Sequence, residues 1–244
     1  LLLILGVSAL VCKLPVRRAS LVLDIPVLLI ASVLLIGLGI WGGALEWWDG
    51  PIFLAVFAVY MVILMRGVRK DPPIPEEEKI PKSRLGIWYA HKKERTWFLV
   101  VLTVLGLGMV VGGGTLLVAG AKYVARAAGM SERVIGLTVV AVGTSLPELV
   151  TSVVAASKKQ TDIAVGNIIG SNIFNILLIV GVSSLVAPLE FRMTDNLIDA
   201  LVALTAAVLL YWLAMFDKHR LGKAAGIVFL LGYAAYYVYL FLPA

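Results

Sequence analysis

Apolar runs long enough to cross a bilayer constrain this chain more than any other feature. Leu21–Trp41, Trp97–Ala121, Leu197–Phe216 and Leu221–Leu242 are such runs, Pro51–Met65 is a short one, and Val134–Gly181 holds two more back to back. A helix needs about 20 apolar residues to span the hydrocarbon core. There each backbone N–H and C=O has to be paired inside the protein, which a helix does on its own. The expected fold class is therefore all-α integral membrane. The leading segment LLLILGVSALVCKL reads as the end of a further span, so the count is about seven complete transmembrane helices plus the end of an eighth.

Polar residues lie inside the double run. The first half carries Thr144, Ser145, Pro147 and Glu148, and the second carries Asn167, Ser171, Asn172 and Asn175. A carboxylate at a helix centre costs roughly 2.5–3.5 kcal/mol on insertion scales, so Glu148 is expected to have a function. Thr144 and Glu148 are four residues apart, as are Ser171 and Asn175, so each pair shares one helix face. Pro147 removes a backbone hydrogen bond and releases the carbonyl near Gly143 or Thr144. Carboxylate, hydroxyl, amide and loose carbonyl oxygens suit hard cations such as Ca²⁺ or Na⁺. The competing role for Ser, Thr and Asn is hydrogen bonding across a helix interface. An intramembrane enzyme, with Glu148 as base or Ser145 as nucleophile, would need a second catalytic group. No His or Asp lies in a span interior near them, so no enzymatic activity and no cofactor are expected.

The chain also repeats itself. Residues 1–14 align without gaps on ILLIVGVSSLVAPL at 176–189, and the same offset of 175 places Arg17 on Arg192 and Asp24 on Asp199. Loops after alternate spans hold 17 of the 21 Lys and Arg, leaving Lys122, Arg126, Arg133 and Arg192 on the other side. The positive-inside rule then puts the long 66–96 loop in the cytoplasm and the C-terminus outside, in a multi-pass plasma (inner) membrane protein. An odd number of crossings separates equivalent points, so the two copies face opposite ways. Inverted repeats meeting near the midplane are the layout of alternating-access transporters. The organisation expected is 1–66 as the remainder of a first membrane repeat, 67–96 as a proline- and charge-rich cytoplasmic linker, and 97–242 as the second repeat. First-copy partners of Glu148 and Asn175 would fall ahead of Leu1, so a chain lacking roughly two and a half spans at its N-terminal side is expected.

GTSLPE at 143–148 and GNIIGSNIFN at 166–175 resemble the signature repeat of the sodium/calcium exchangers, within the cation/Ca²⁺ antiporter superfamily. The resemblance implies an inverted-repeat antiporter fold of a prokaryotic-type member, exchanging Ca²⁺ for Na⁺ or H⁺ without covalent chemistry. It makes Glu148 the central ligand, with Thr144, Ser145, Ser171 and Asn175 around it and the Ala141 carbonyl serving a sodium site. Asn175 stands where some relatives carry Asp. It also makes the glycine-rich span at 97–121 the sliding helix that gates access. The alternative is an inactive remnant or a non-transporting membrane scaffold.

Composition narrows the rest. One cysteine, Cys12, excludes a disulfide framework, and His91 and His219 lie in charged loops. The net charge of +6 reads as a topology signal, so the expected partners are the transported ions and the lipid bilayer, with no nucleic acid. Glu76, Glu77 and Glu78 read as a solvated run, and Tyr233, Tyr236, Tyr237 and Tyr239 as an interface belt and packing surface.

Overall fold

The computed structural model describes residues 1–68, 96–130, 135, 141–194, 196–216 and 219–241. The chain divides into two compact units, Leu1–Lys70 with Glu148–Ala244, and Asp71–Pro147. The linker expected at 67–96, with its glutamate run, lies almost wholly outside the described residues. Among those residues, six helices are long and apolar enough to cross a membrane. The remaining expected span, 134–157, is described at Ile135 and from Ala141 onward.

The first unit opens with α1 (Leu2–Val11) and the two-residue strand β1 (Leu14–Pro15). A π-helical turn, Ser20–Asp24, leads into α2 (Ile25–Gly42), followed by β2 (Ala44–Leu45) and α3 (Asp49–Val68). The carboxylate of Asp49 accepts the Glu46 N–H at 2.8 Å and so fixes the start of α3. Later in the chain come α6 (Leu146–Ser157), whose first two residues belong to the second unit, and α7 (Thr161–Phe174). A π-helical segment, Asn175–Val180, joins α7 to α8 (Gly181–Val186). Then follow β3 (Leu189–Glu190), α9 (Asn196–Phe216), β4 (Arg220–Leu221) and α10 (Lys223–Phe241). The core runs along α7, where Ala164, Val165, Ile168, Ile169 and Ile173 are buried with Leu5, Ile25, Leu28 and Phe53. Large apolar side chains elsewhere point outward, such as Trp41 and Leu231, as lipid-facing positions do.

Contacts in this unit occur in matching pairs. β1 pairs antiparallel with β4, Leu14 opposite Leu221, and β3 pairs antiparallel with β2, Leu189 opposite Leu45. The Val16 N–H reaches the His219 carbonyl at 2.7 Å, and the Phe191 N–H reaches the Gly43 carbonyl at 2.9 Å. His219 and Gly43 both take left-handed backbone angles, at φ 64° and 68°. Packing of α1 along α10 is matched by packing of α8 on α3. At the first crossing an added Cβ on Gly226 would lie 2.9 Å from the Gly6 carbonyl, and at the second one on Gly50 would lie 2.6 Å from the Gly181 carbonyl. Only glycine permits that approach. Tyr60 donates to Asp24 at 3.1 Å, and Tyr236 donates to Asp199 at 2.7 Å. The offset is 175 for the earlier member of each pair and 176 for the later, which marks a one-residue length difference between copies. Each ladder joins one strand from each copy, the pattern that a two-fold axis generates.

The second unit holds α4 (Thr96–Ala127), six residues longer at its end than the run expected to Ala121, and α5 (Ala141–Thr144). The short helix packs against the long one, with Gly143 set so tightly on Val118 that an added Cβ would overlap it. At Gly114 a Cβ would meet Pro147 at 3.5 Å. At Gly106, Gly108, Gly112 and Gly113 it would meet no described atom of this unit within 4 Å.

Candidate functional site

The sequence-predicted ligands fall in both units. Glu148, Ser171 and Asn175 belong to the first, and Ala141, Thr144 and Ser145 to the second. The helical path breaks at Ser145, between α5 and α6, two residues before Pro147. The Ser145 N–H turns back to the Val142 carbonyl at 3.1 Å. Pro147 sits in the first turn of α6, where its missing N–H costs no helical bond. Two expectations are corrected here: the break puts Thr144 and Glu148 on separate helices, so they do not share one helix face, and Pro147, in the first turn, removes no helical bond.

Glu148 is half-buried in the first turn of α6. Its Oε2 is shielded from solvent and accepts no hydrogen bond among the described residues. A carboxylate oxygen taken out of water needs a donor or a cation in compensation. Nothing else of that charge is close in the sequence of α6 or α7 before Asp162, at the opposite end. Asp162, in the first turn of α7, pairs with Arg17 at 2.6 Å. Both side chains are about two-fifths exposed, so the pair stabilises by about 1 kcal/mol at most.

On α7, Ser171 donates its hydroxyl to the Ile168 carbonyl at 3.2 Å, and Asn172 donates to the same carbonyl at 2.7 Å. The Ser171 oxygen keeps lone pairs for a further partner. Asn175 is exposed and opens the π-helical segment, a wide turn found mostly at functional places in helices. In the second unit Ala141 and Thr144 bound α5, Thr144 exposed and Ser145 half-buried. Among the described residues no three His, Cys, Asp or Glu side chains cluster.

Sequence reasoning noted Asn167 among the polar residues but gave it no role. Its amide joins α7 to α6, donating to Ser152 Oγ at 2.9 Å and to the Glu148 carbonyl at 3.3 Å. Asn167, Ser171 and Asn175 at four-residue spacing were the available signal. The tyrosine cluster makes contacts of the packing kind expected of it. Tyr233 stacks on Tyr237 at 5.4 Å, and Tyr236 is the partner of Asp199.

The sequence model of the sodium/calcium exchanger protein family matches residues 1–66 and 98–242. The putative antiporter CaxA of Alkalimonas amylolytica is 33% identical over 243 residues, covering 99% of this chain and 74% of that protein. The sodium/calcium exchanger MaX1 of Methanosarcina acetivorans is 43% identical over 114 residues, 47% of this chain and 32% of that protein. A solved structure of the sodium-calcium exchanger NCX_Mj superposes with a TM-score of 0.76 at 31% identity, covering 99% of this chain and 72% of that one. With matches along nearly its whole length, this multi-pass membrane chain belongs to the sodium/calcium exchanger family of cation antiporters.

Proposed function

We propose that this chain serves the exchange of Ca²⁺ for Na⁺ or H⁺ across the plasma membrane by alternating access, with Glu148 as the charged ligand. The observation that carries the reading is the Glu148 Oε2 atom, shielded from solvent with no hydrogen-bond donor on it among the described residues. Ser171 and Asn175 are its neutral companions in the first unit; Ala141, Thr144 and Ser145 are assigned on sequence resemblance. Ca²⁺ takes six to eight oxygens in typical sites, so one carboxylate is a share of the ligand set. The paired contacts of α1 with α10 and α8 with α3 support alternating access, because two-fold-related halves offer two equivalent packings. The repeats are assigned to 1–66 and 97–242, with the 67–96 linker in the cytoplasm.

The test uses the intact protein in sealed vesicles, with ⁴⁵Ca²⁺ uptake driven in turn by an imposed Na⁺ or H⁺ gradient. The gradient that drives uptake identifies the counter-ion. Glu148→Gln removes the charge while keeping the shape, and uptake is expected to fall to background with membrane insertion intact. Uptake at the wild-type rate would remove Glu148 from the mechanism.

A further inference from the structure

We infer that Asn167 is a positioning residue of the ion site, an inference that rests on the reading of Glu148 as ligand. Glu148 and Ser152 lie one turn apart on α6, and Asn167 and Ser171 lie one turn apart on α7, with Asn175 opening the π-helical segment that follows. Asn167 bridges these two stripes, its Nδ2 donating to Ser152 Oγ at 2.9 Å and to the Glu148 carbonyl at 3.3 Å. Ser152 is fully buried, so its hydroxyl has no water to exchange for this donor. The carboxamide thus sets how far α6 stands along α7. It thereby sets where the Glu148 carboxylate stands relative to Ser171 and Asn175.

The chemistry explains why Asn stands at 167. Both atoms that it touches are oxygens with lone pairs, so the bridge needs two N–H donors and no charge. Aspartate has the same shape but no N–H for the Glu148 carbonyl, so it could only accept from the Ser152 hydroxyl, and it adds a negative charge beside Glu148. Alanine leaves the Ser152 hydroxyl without its bridging partner. Groups that orient metal ligands without touching the ion typically change affinity 10–100-fold when removed. Asn167 stands in that relation to Glu148, through its backbone rather than its carboxylate.

The experiment measures initial ⁴⁵Ca²⁺ uptake against Ca²⁺ concentration for the intact protein in sealed vesicles, with melting temperature in ion-free detergent as a parallel reading. Asn167→Ala is expected to raise the KM for Ca²⁺ about tenfold. The maximal rate should stay within about threefold, while the ion-free melting temperature falls modestly because the buried Ser152 hydroxyl loses its partner. Asn167→Asp should raise KM further. Ser152→Ala, which spares the bond to the Glu148 carbonyl, should raise it about threefold and add little in the Asn167→Ala background. A wild-type KM for Asn167→Ala with a lowered melting temperature would overturn the inference, leaving Asn167 a packing residue only. Should Asn167→Ala fail to reach the membrane, Ser152→Ala decides: a raised KM supports the inference and an unchanged one overturns it. Glu148→Gln in parallel separates the two readings, since normal uptake there would remove the ion site itself whatever Asn167 does.

Discussion

At the scale of single residues, two side chains occupy positions that chemistry disfavours unless something offsets them. Glu148 puts a carboxylate oxygen out of reach of solvent and of any donor among the described residues, the observation on which its proposed role as cation ligand rests. His219 puts an L-residue at φ 64°, where its counterpart Gly43 sits at 68°. The left-handed conformation costs an L-residue roughly 1–2 kcal/mol. Glycine gives back about 0.4–1 kcal/mol through the unfolded chain, so the relief wins. The His219 side chain is exposed and its ring makes no hydrogen bond among the described residues, while the carbonyl that accepts from Val16 is unchanged by substitution. His219→Gly is therefore expected to stabilise the protein by about 0.5–1 kcal/mol, read as a raised thermal midpoint in detergent. A lowered midpoint would show that the imidazole makes a contact worth more than the strain. Glu148 was legible in the sequence because a charge in an apolar run is rare. Asn167 was not, because an amide in such a run serves a helix interface as readily as an ion, and only its partners separate the two.

At the scale of elements, the Asp–Tyr pairs tie helices that otherwise touch little. α2 and α3 meet sparsely, as do α9 and α10, yet a carboxylate–phenol bond joins each couple, Asp24 at the N-terminal cap of α2 with Tyr60 and Asp199 with Tyr236. Recurrence of the bond in both copies argues against an accident of packing. Interhelical hydrogen bonds in membranes average about 0.6 kcal/mol and reach about 1.7, because the separated helices find other partners. Tyr60→Phe and Tyr236→Phe should each destabilise by about 1 kcal/mol in detergent unfolding. Combining Tyr60→Phe with Asp24→Asn should then cost less than the two separate losses together; strict additivity would show that the groups are not coupled. The spans themselves were legible from apolar length, and the first copy of the helix end from its gapless match. The small ladders and the π-helical segments were not. Two-residue strands such as Leu14–Pro15 are specified by partners over 200 residues away, and NILLIV at 175–180 has the composition of any membrane helix.

At the scale of the whole molecule, the paired contacts predict a topology that can be tested without reference to transport. β1 with β4 and β3 with β2 are one ladder met twice, and the exchange of strands between copies is what a two-fold axis in the membrane plane would produce. Such an axis sends equivalent residues to opposite faces of the bilayer. Arg18 and Met193 are equivalents at the offset of 175, and both are exposed beyond their ladders. Five apolar runs lie between them, an odd number, which agrees. Basic residues choose the sense, since Lys13, Arg17 and Arg18 cluster at the first point while Arg192 stands with Glu190 at the second. In a background with Cys12 replaced by alanine, Arg18→Cys should react with a membrane-impermeant maleimide only from the cytoplasmic side. Met193→Cys should react only from the outside. Reaction of both from one side would contradict the two-fold relation, and reaction of each from the face opposite to that expected would reverse the orientation while leaving the inverted repeat standing.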